Sequence, residues 1–208
     1  NLPWDQFVTW QLAGDLLPRN DAGIVVALAD KLESLAGLFG IGEQPTGDRD
    51  PFALRRHALG LIRMLTERKL PLSLHELVNA AFEAFPRGLL GDAHTALETF
   101  VFERLEGLMR ERGYSAGEVN AVLGMRPVRL DLVPRQLEAV RAFAALPEAV
   151  SLSAANKRIA NILKKSDAAR AAAVDTGLFH EGAERSLHDA LESVQPLAHA
   201  CFERGDYT

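Results

Sequence analysis

Ile24-Val25-Val26-Ala27-Leu28-Ala29-Asp30-Lys31-Leu32-Glu33-Ser34-Leu35-Ala36-Gly37-Leu38-Phe39-Gly40-Ile41-Gly42 sets Ile24, Leu28, Leu32, Leu35 and Phe39 at steps of three and four. That period draws one apolar stripe along an α-helix, and Gly40 and Gly42 stop it. Working outward, Asp50-Pro51 predicts a restart, with Asp50 as N-cap and Pro51 at the first helical position. Phe52, Leu59, Ile62 and Leu65 then supply apolar helix positions. Ser73 to Phe85 reads as a short helix, with Ser73 and Glu76 spaced as a capping box. Ala93 to Arg112 reads as a longer helix closed by Gly113. Ser115 and Glu118 repeat the capping-box spacing ahead of Val119, Val122 and Leu123. Pro127 to Pro134 has the character of a linker, with Val128-Arg129-Leu130 extended or irregular. Helical spacing resumes over Arg135 to Leu146, Pro147 to Lys165 and Ala183 to about Arg204. Apolar-polar alternation of strand length is nearly absent. The fold is therefore expected to be all-α, with a helical body over 1–127 and a helical bundle over 128–208.

Composition narrows the class. The chain has 208 residues, 48% hydrophobic and 25% charged, which is ordinary for a soluble globular protein. A net charge of −5 argues against a generally basic nucleic-acid coat, although an average hides local patches. The single cysteine, Cys201, leaves no intrachain disulfide and fits a reducing compartment, so cytoplasm is expected. Beside Leu197 and Phe202, it reads as a small buried hydrophobe. No apolar run approaches the roughly 18 residues of a membrane span. The start at Asn1-Leu2-Pro3 and the stop at Tyr207-Thr208 suggest a piece of a longer polypeptide.

Side chains able to carry chemistry are few. The glycines from Gly37 to Gly47 follow no strand and lack a Gly-Lys-Ser/Thr ending, so they read as a helix stop and not as a phosphate cradle. His57, His75, His94, His180, His188 and His199 show no metal-ligand spacing. Asn79 stands where a second zinc histidine would follow His75-Glu76. No Ser-His-Asp or Cys-His arrangement is recognisable. Neither a catalytic residue nor a metal site is expected.

The basic residues are the better lead. From Ser151 to Arg170, Lys157, Arg158, Lys164, Lys165 and Arg170 stand against Asp167 alone. On a helix, Leu152, Ala155, Ile159 and Ile162 form an apolar stripe, while Lys157, Asn161, Lys164 and Lys165 fall on another face. Lysines suit phosphate attraction, and asparagine can read a base edge. A solvated helix face is the competing reading. Arg55, Arg56, Arg63, Arg68 and Lys69 form a second cluster against Glu67. Arg55 and Arg56 fit either a phosphate contact or ion pairs with acids such as Asp48 and Glu33. Arg126, Arg129 and Arg135 are further phosphate candidates. Asp175 to Asp206 holds seven carboxylates against Arg185 and Arg204, so RNA contacts should spare it.

Two blocks carry a family likeness. Ala29-Asp30-Lys31-Leu32, Gly40-Ile41-Gly42, Pro45-Thr46-Gly47 and Asp50-Pro51-Phe52-Ala53-Leu54-Arg55-Arg56 together resemble a signature of the β subunit of bacterial heterotetrameric glycyl-tRNA synthetase. Ala155-Asn156-Lys157-Arg158-Ile159-Ala160-Asn161-Ile162-Leu163-Lys164-Lys165 resembles the helix opening that subunit's anticodon-binding domain. Gly14-Asp15 with Pro18, and Asp206-Tyr207, extend the likeness over about 13–207, while Asn1 to Leu12, with Trp4 and Trp10, match less well. The resemblance implies an HD-like body over 1–127 and an incomplete anticodon-binding domain over 128–208. It also implies binding of tRNA(Gly) and partnership with an α subunit in a heterotetramer. Aminoacylation chemistry, with its ATP and Mg, would lie in the α subunit, and no cofactor would sit on this chain. Asn156, Lys157, Arg158, Asn161, Lys164, Lys165, Arg55, Arg56, Arg129 and Arg135 become the expected tRNA contacts. No class II motif arginines and no class I HIGH- or KMSKS-like stretch are present, consistent with that division. Asp30 resembles the last metal ligand of HD domains, but no histidine precedes it to complete such a site. An HD-type phosphohydrolase and a purely structural subunit-assembly module remain the alternatives.

Overall fold

The computed structural model describes residues 17–165 and 174–207. Trp4, Trp10, Gly14, Asp15, Asp167 and Arg170, named above, lie outside the described residues. Among those described, eight α-helices follow one another: α1 (Asp21–Gly40), α2 (Leu54–Glu67), α3 (Leu74–Glu83), α4 (His94–Glu111), α5 (Ala116–Leu123), α6 (Val133–Ala144), α7 (Pro147–Lys165) and α8 (Gly182–Glu203). Short 3-10 turns occupy Leu130–Leu132 and Thr176–Leu178. The described residues contain isolated bridges but no named strand, so the fold is all-α.

The first unit ends at Leu137. Its centre is α1, which packs on α2, α3 and α4, while α2 also meets α4 and the Leu130–Leu132 turn. The stripe read from the sequence is the buried face of α1: Ile24, Leu28, Leu32, Leu35 and Phe39 all lie in the core. Against them stand Leu61, Ile62 and Leu65 of α2, Val78 of α3, and Leu97, Val101 and Leu105 of α4. Removing these side chains from water contributes roughly 1.5–3 kcal/mol each. At its start α1 is capped by Asn20, whose Oδ1 accepts the Gly23 N–H at 2.7 Å. It ends where Gly42 takes a φ of 85°, a turn that a Cβ would strain. Ser73 Oγ accepts the Glu76 N–H at 3.3 Å at the start of α3. The capping box at α5 is complete, with bonds from Glu118 N–H to Ser115 Oγ and from Ser115 N–H to Glu118 Oε2.

Three expectations need correction. Helix α2 starts at Leu54, and Pro51 and Phe52 form a turn that Ala53 closes at a φ of 54°. Asp50 still caps the helix, but from four and five residues away: its Oδ1 accepts the Leu54 N–H at 2.7 Å and its Oδ2 the Arg55 N–H at 3.0 Å. Phe52 is consequently an exposed residue and not an apolar helix position. The stretch 127–134 is packed, not a free linker. Leu74 N–H donates to the Val128 carbonyl at 3.2 Å, and Ser73 pairs with Arg129 in an antiparallel bridge. Leu130, Val133 and Leu137 are 0% exposed and belong to the first compact unit.

The second unit runs from Glu138 and contains the end of α6 with α7 and α8. Both long helices expose their apolar residues, Leu152, Ile159 and Ile162 on α7 and Leu187, Leu191, Val194 and Leu197 on α8. Cys201 is half-buried, not sealed in a core, and its Sγ accepts from Arg204 Nη2 at 3.6 Å.

Candidate nucleic-acid interface

Pro147 opens α7 without loss, since the first turn of a helix leaves its N–H groups unbonded in any case. The helix then runs uninterrupted to Lys165. Lys157, Arg158, Asn161 and Lys165, with Ala154 and Ile162, line one open groove of about 370 Å³. Lysines and asparagine at 157, 161 and 165 stack along the axis because residues four apart share a helix face. Lys164 falls at the edge of this face, seven positions after Lys157. Asn156 lies about 100° round the helix from Lys157, on the side away from Asn161 and Lys165, and does not line the groove. None of Lys157, Arg158, Lys164 or Lys165 is held in an ion pair among the described residues. Lys164 and Lys165 also occupy the last turn, where positive charge complements the helix dipole.

The arginines of the first unit divide sharply. Arg55 is committed: its Nη2 donates to the Gly47 carbonyl and pins the loop onto α2. Arg129 is committed too, with Nε and Nη2 donating to Asp131 at 3.0 and 2.6 Å. Arg63 and Arg112 converge on Glu67, at 3.1 and 2.6 Å. Partial burial pushes the Glu67 carboxyl up. Hydrogen bonds and charge from Arg63, then from Arg112, outweigh it and hold the group below the usual carboxylate range. Arg68 donates to the Arg19 carbonyl at 3.5 Å. Arg126 lies 5.1 Å from the Phe102 ring centroid. Arg56 and Arg135 are exposed and unpaired among the described residues. The partners of Arg68 and Arg112 lie tens of positions away in the chain, beyond the reach of a sequence reading.

No three His, Cys, Asp or Glu side chains converge among the described residues. Asp30 forms no ion pair among them. Its Oδ2 is buried without a hydrogen-bond partner, as is Nδ1 of His57. Beside them Lys31 is 3% exposed. Its chain crosses α2 at Gly60, where an added Cβ would stand 2.5 Å from Lys31 Cε. Burial lowers the Lys31 pKa, and the charge of Asp30 opposes that shift. The sequence singles out Asp30, but no spacing ties it to its neighbour Lys31 or to His57, 27 residues further on.

The family model described as glycyl-tRNA synthetase beta subunit matches residues 6–124. The chain belongs to this family. The glycine–tRNA ligase beta subunit of Thiobacillus denitrificans is 65% identical over 198 residues, which is 95% of this chain and 28% of that relative. Those of Janthinobacterium sp. and Paracidovorax citrulli are each 59% identical over the same coverage. The chain thus spans 28% of the length of the curated relatives it matches. The family match takes in the Ala29–Arg56 signature. The alignments to relatives extend over 95% of the chain, far beyond the family match. No helix among the described residues is long and apolar enough to cross a membrane.

Proposed function

We propose that this chain is a tRNA-holding region of a glycine–tRNA ligase β subunit. It would position tRNA(Gly) while an α subunit activates glycine with ATP and esterifies the tRNA, in the cytoplasm and within a heterotetramer. The observation that carries the reading is the α7 groove, whose cationic side chains are exposed, face one way and are committed to no carboxylate among the described residues. Such groups take phosphates, and phosphate contacts set register without reading sequence. Fixing the tRNA in register accelerates acyl transfer through orientation alone, with no reacting group on this chain.

The test is a salt titration of tRNA(Gly) binding by the parent chain and by Lys157→Glu/Lys165→Glu. The variant is expected to bind more weakly, with a salt slope smaller by about 0.7–0.9 for each phosphate no longer engaged. Its helical circular-dichroism signal should be unchanged, because both side chains are exposed. Equal affinity and slope would remove α7 from the interface. That result would favour the assembly reading, to which the exposed apolar residues of α7 and α8 lend weight.

A further inference from the structure

The segment joining α1 to α2, residues 41–53, is exposed almost throughout, yet it is braced at each turn. Thr46 and Arg49 exchange two backbone hydrogen bonds, at 3.1 and 2.9 Å. The Arg55 side chain holds the Gly47 carbonyl, and both carboxylate oxygens of Asp50 are taken by the amides of Leu54 and Arg55. Ala53 sits in the left-handed region, a conformation unfavourable for a residue with a Cβ. These bonds order the backbone on both sides of Phe52, a residue that is 47% exposed. Arg49 and Arg56 flank it in the chain. Both are exposed, and neither forms an ion pair among the described residues.

A part-exposed aromatic residue on a braced loop, with exposed arginines three residues before it and four after, fits an unpaired nucleotide. The ring stacks on the base, and the guanidiniums meet the phosphates on either side. Glu43 and Asp48 are exposed on the same loop and offset its positive charge. The contact must therefore draw its strength from stacking more than from the loop's net field. We infer that Phe52, between Arg49 and Arg56, is a stacking platform for an unpaired base of the bound tRNA, an inference that rests on the tRNA reading above.

The test repeats the tRNA(Gly) titration with the whole 208-residue chain carrying Phe52→Ala, Phe52→Tyr, or Arg49→Ala with Arg56→Ala. Phe52→Ala is expected to weaken binding about tenfold with the salt slope unchanged, because stacking releases no counterions. Phe52→Tyr keeps the ring and should keep the affinity. The arginine pair should lower the slope by up to about 1.4, at ~0.7 per single-strand phosphate. Unchanged binding by Phe52→Ala, with Lys157→Glu/Lys165→Glu still impaired, would overturn the platform and leave the tRNA reading standing. A parent chain that binds no tRNA would overturn both. If Phe52→Ala spares RNA binding but impairs capture of purified α subunit, the loop is a protein contact and the inference fails. Thermal melts of each variant exclude unfolding as the cause.

Discussion

At the scale of single residues, His57 shows how burial without a partner becomes a pH response. Its imidazole is half-buried, with Nδ1 sealed off and unbonded. Burial pushes its pKa below the ordinary value of 6.5, and the Lys31 charge acts the same way. Asp30 and Asp50 oppose the shift, and Arg56 adds a smaller push downward. A lowered folded-state pKa means that the unfolded chain takes the proton first. This contribution to stability is full above about pH 6.5 and is lost as pH falls from there toward the folded pKa. A fully sequestered imidazole would give about 1.4 kcal/mol per pH unit, and solvent screening of a half-exposed ring reduces that. His57→Gln, neutral throughout, is expected to flatten the decline of urea-unfolding stability between pH 7 and pH 5 relative to the parent. Parallel curves would show that His57 titrates alike in both states. The charges acting on it are beyond a sequence reading, because Asp30 and Lys31 come near His57 only once α1 packs on α2.

At the scale of elements, what was legible was local. The stripe of α1, the glycine after α4 and the Ser115–Glu118 box follow from spacing, and the structure contains each of them. What was not legible needed a contact or a dihedral that no residue type announces. Ala53 adopts a positive φ without being glycine, so the Asp50-Pro51 start could not be seen to slip three residues to Leu54. Pro134 reads as a linker residue, yet it stands in the first turn of α6, where proline costs no hydrogen bond. Leu130, Val133 and Leu137 have helical spacing, masked by Pro127 before them and Pro134 among them. The groups on α7 were legible because a helix face is set by sequence spacing alone, whereas the commitments of Arg55 and Arg129 were not. Asp50 itself can be tested. Asp50→Ala leaves two amides at the start of α2 without acceptors and unties the preceding loop, at an expected cost of about 1–2 kcal/mol. Asp50→Asn retains an acceptor and should recover part of it. Equal urea midpoints for the parent and Asp50→Ala would show that water replaces the carboxylate without loss.

At the scale of the whole molecule, the two units differ in what holds them. The first has a shared core drawn from α1 to α5 and from the segment that follows them. The second presents long helices whose apolar residues face solvent. Burial, and not the proline pair at 127 and 134, therefore decides where an independently folding piece ends. A chain cut after Pro127 loses Leu130, Val133 and Leu137, each 0% exposed, together with the bridge between Ser73 and Arg129. At roughly 1.5–3 kcal/mol per buried side chain, the loss approaches the whole stability of an ordinary domain, about 5–15 kcal/mol. A chain ending at Leu137 keeps all three residues and loses only the second unit, with the α7 face. Residues 1–137 are expected to melt cooperatively while failing to show the α7-dependent part of tRNA binding, and residues 1–127 to melt without a sharp transition. Indistinguishable melts for the two truncations would mean that the segment 128–137 decorates the first unit without stabilising it. Cooperative melting of 1–137 with undiminished tRNA affinity would overturn the proposed α7 contacts and point to the first unit instead, where Arg49, Phe52 and Arg56 stand exposed.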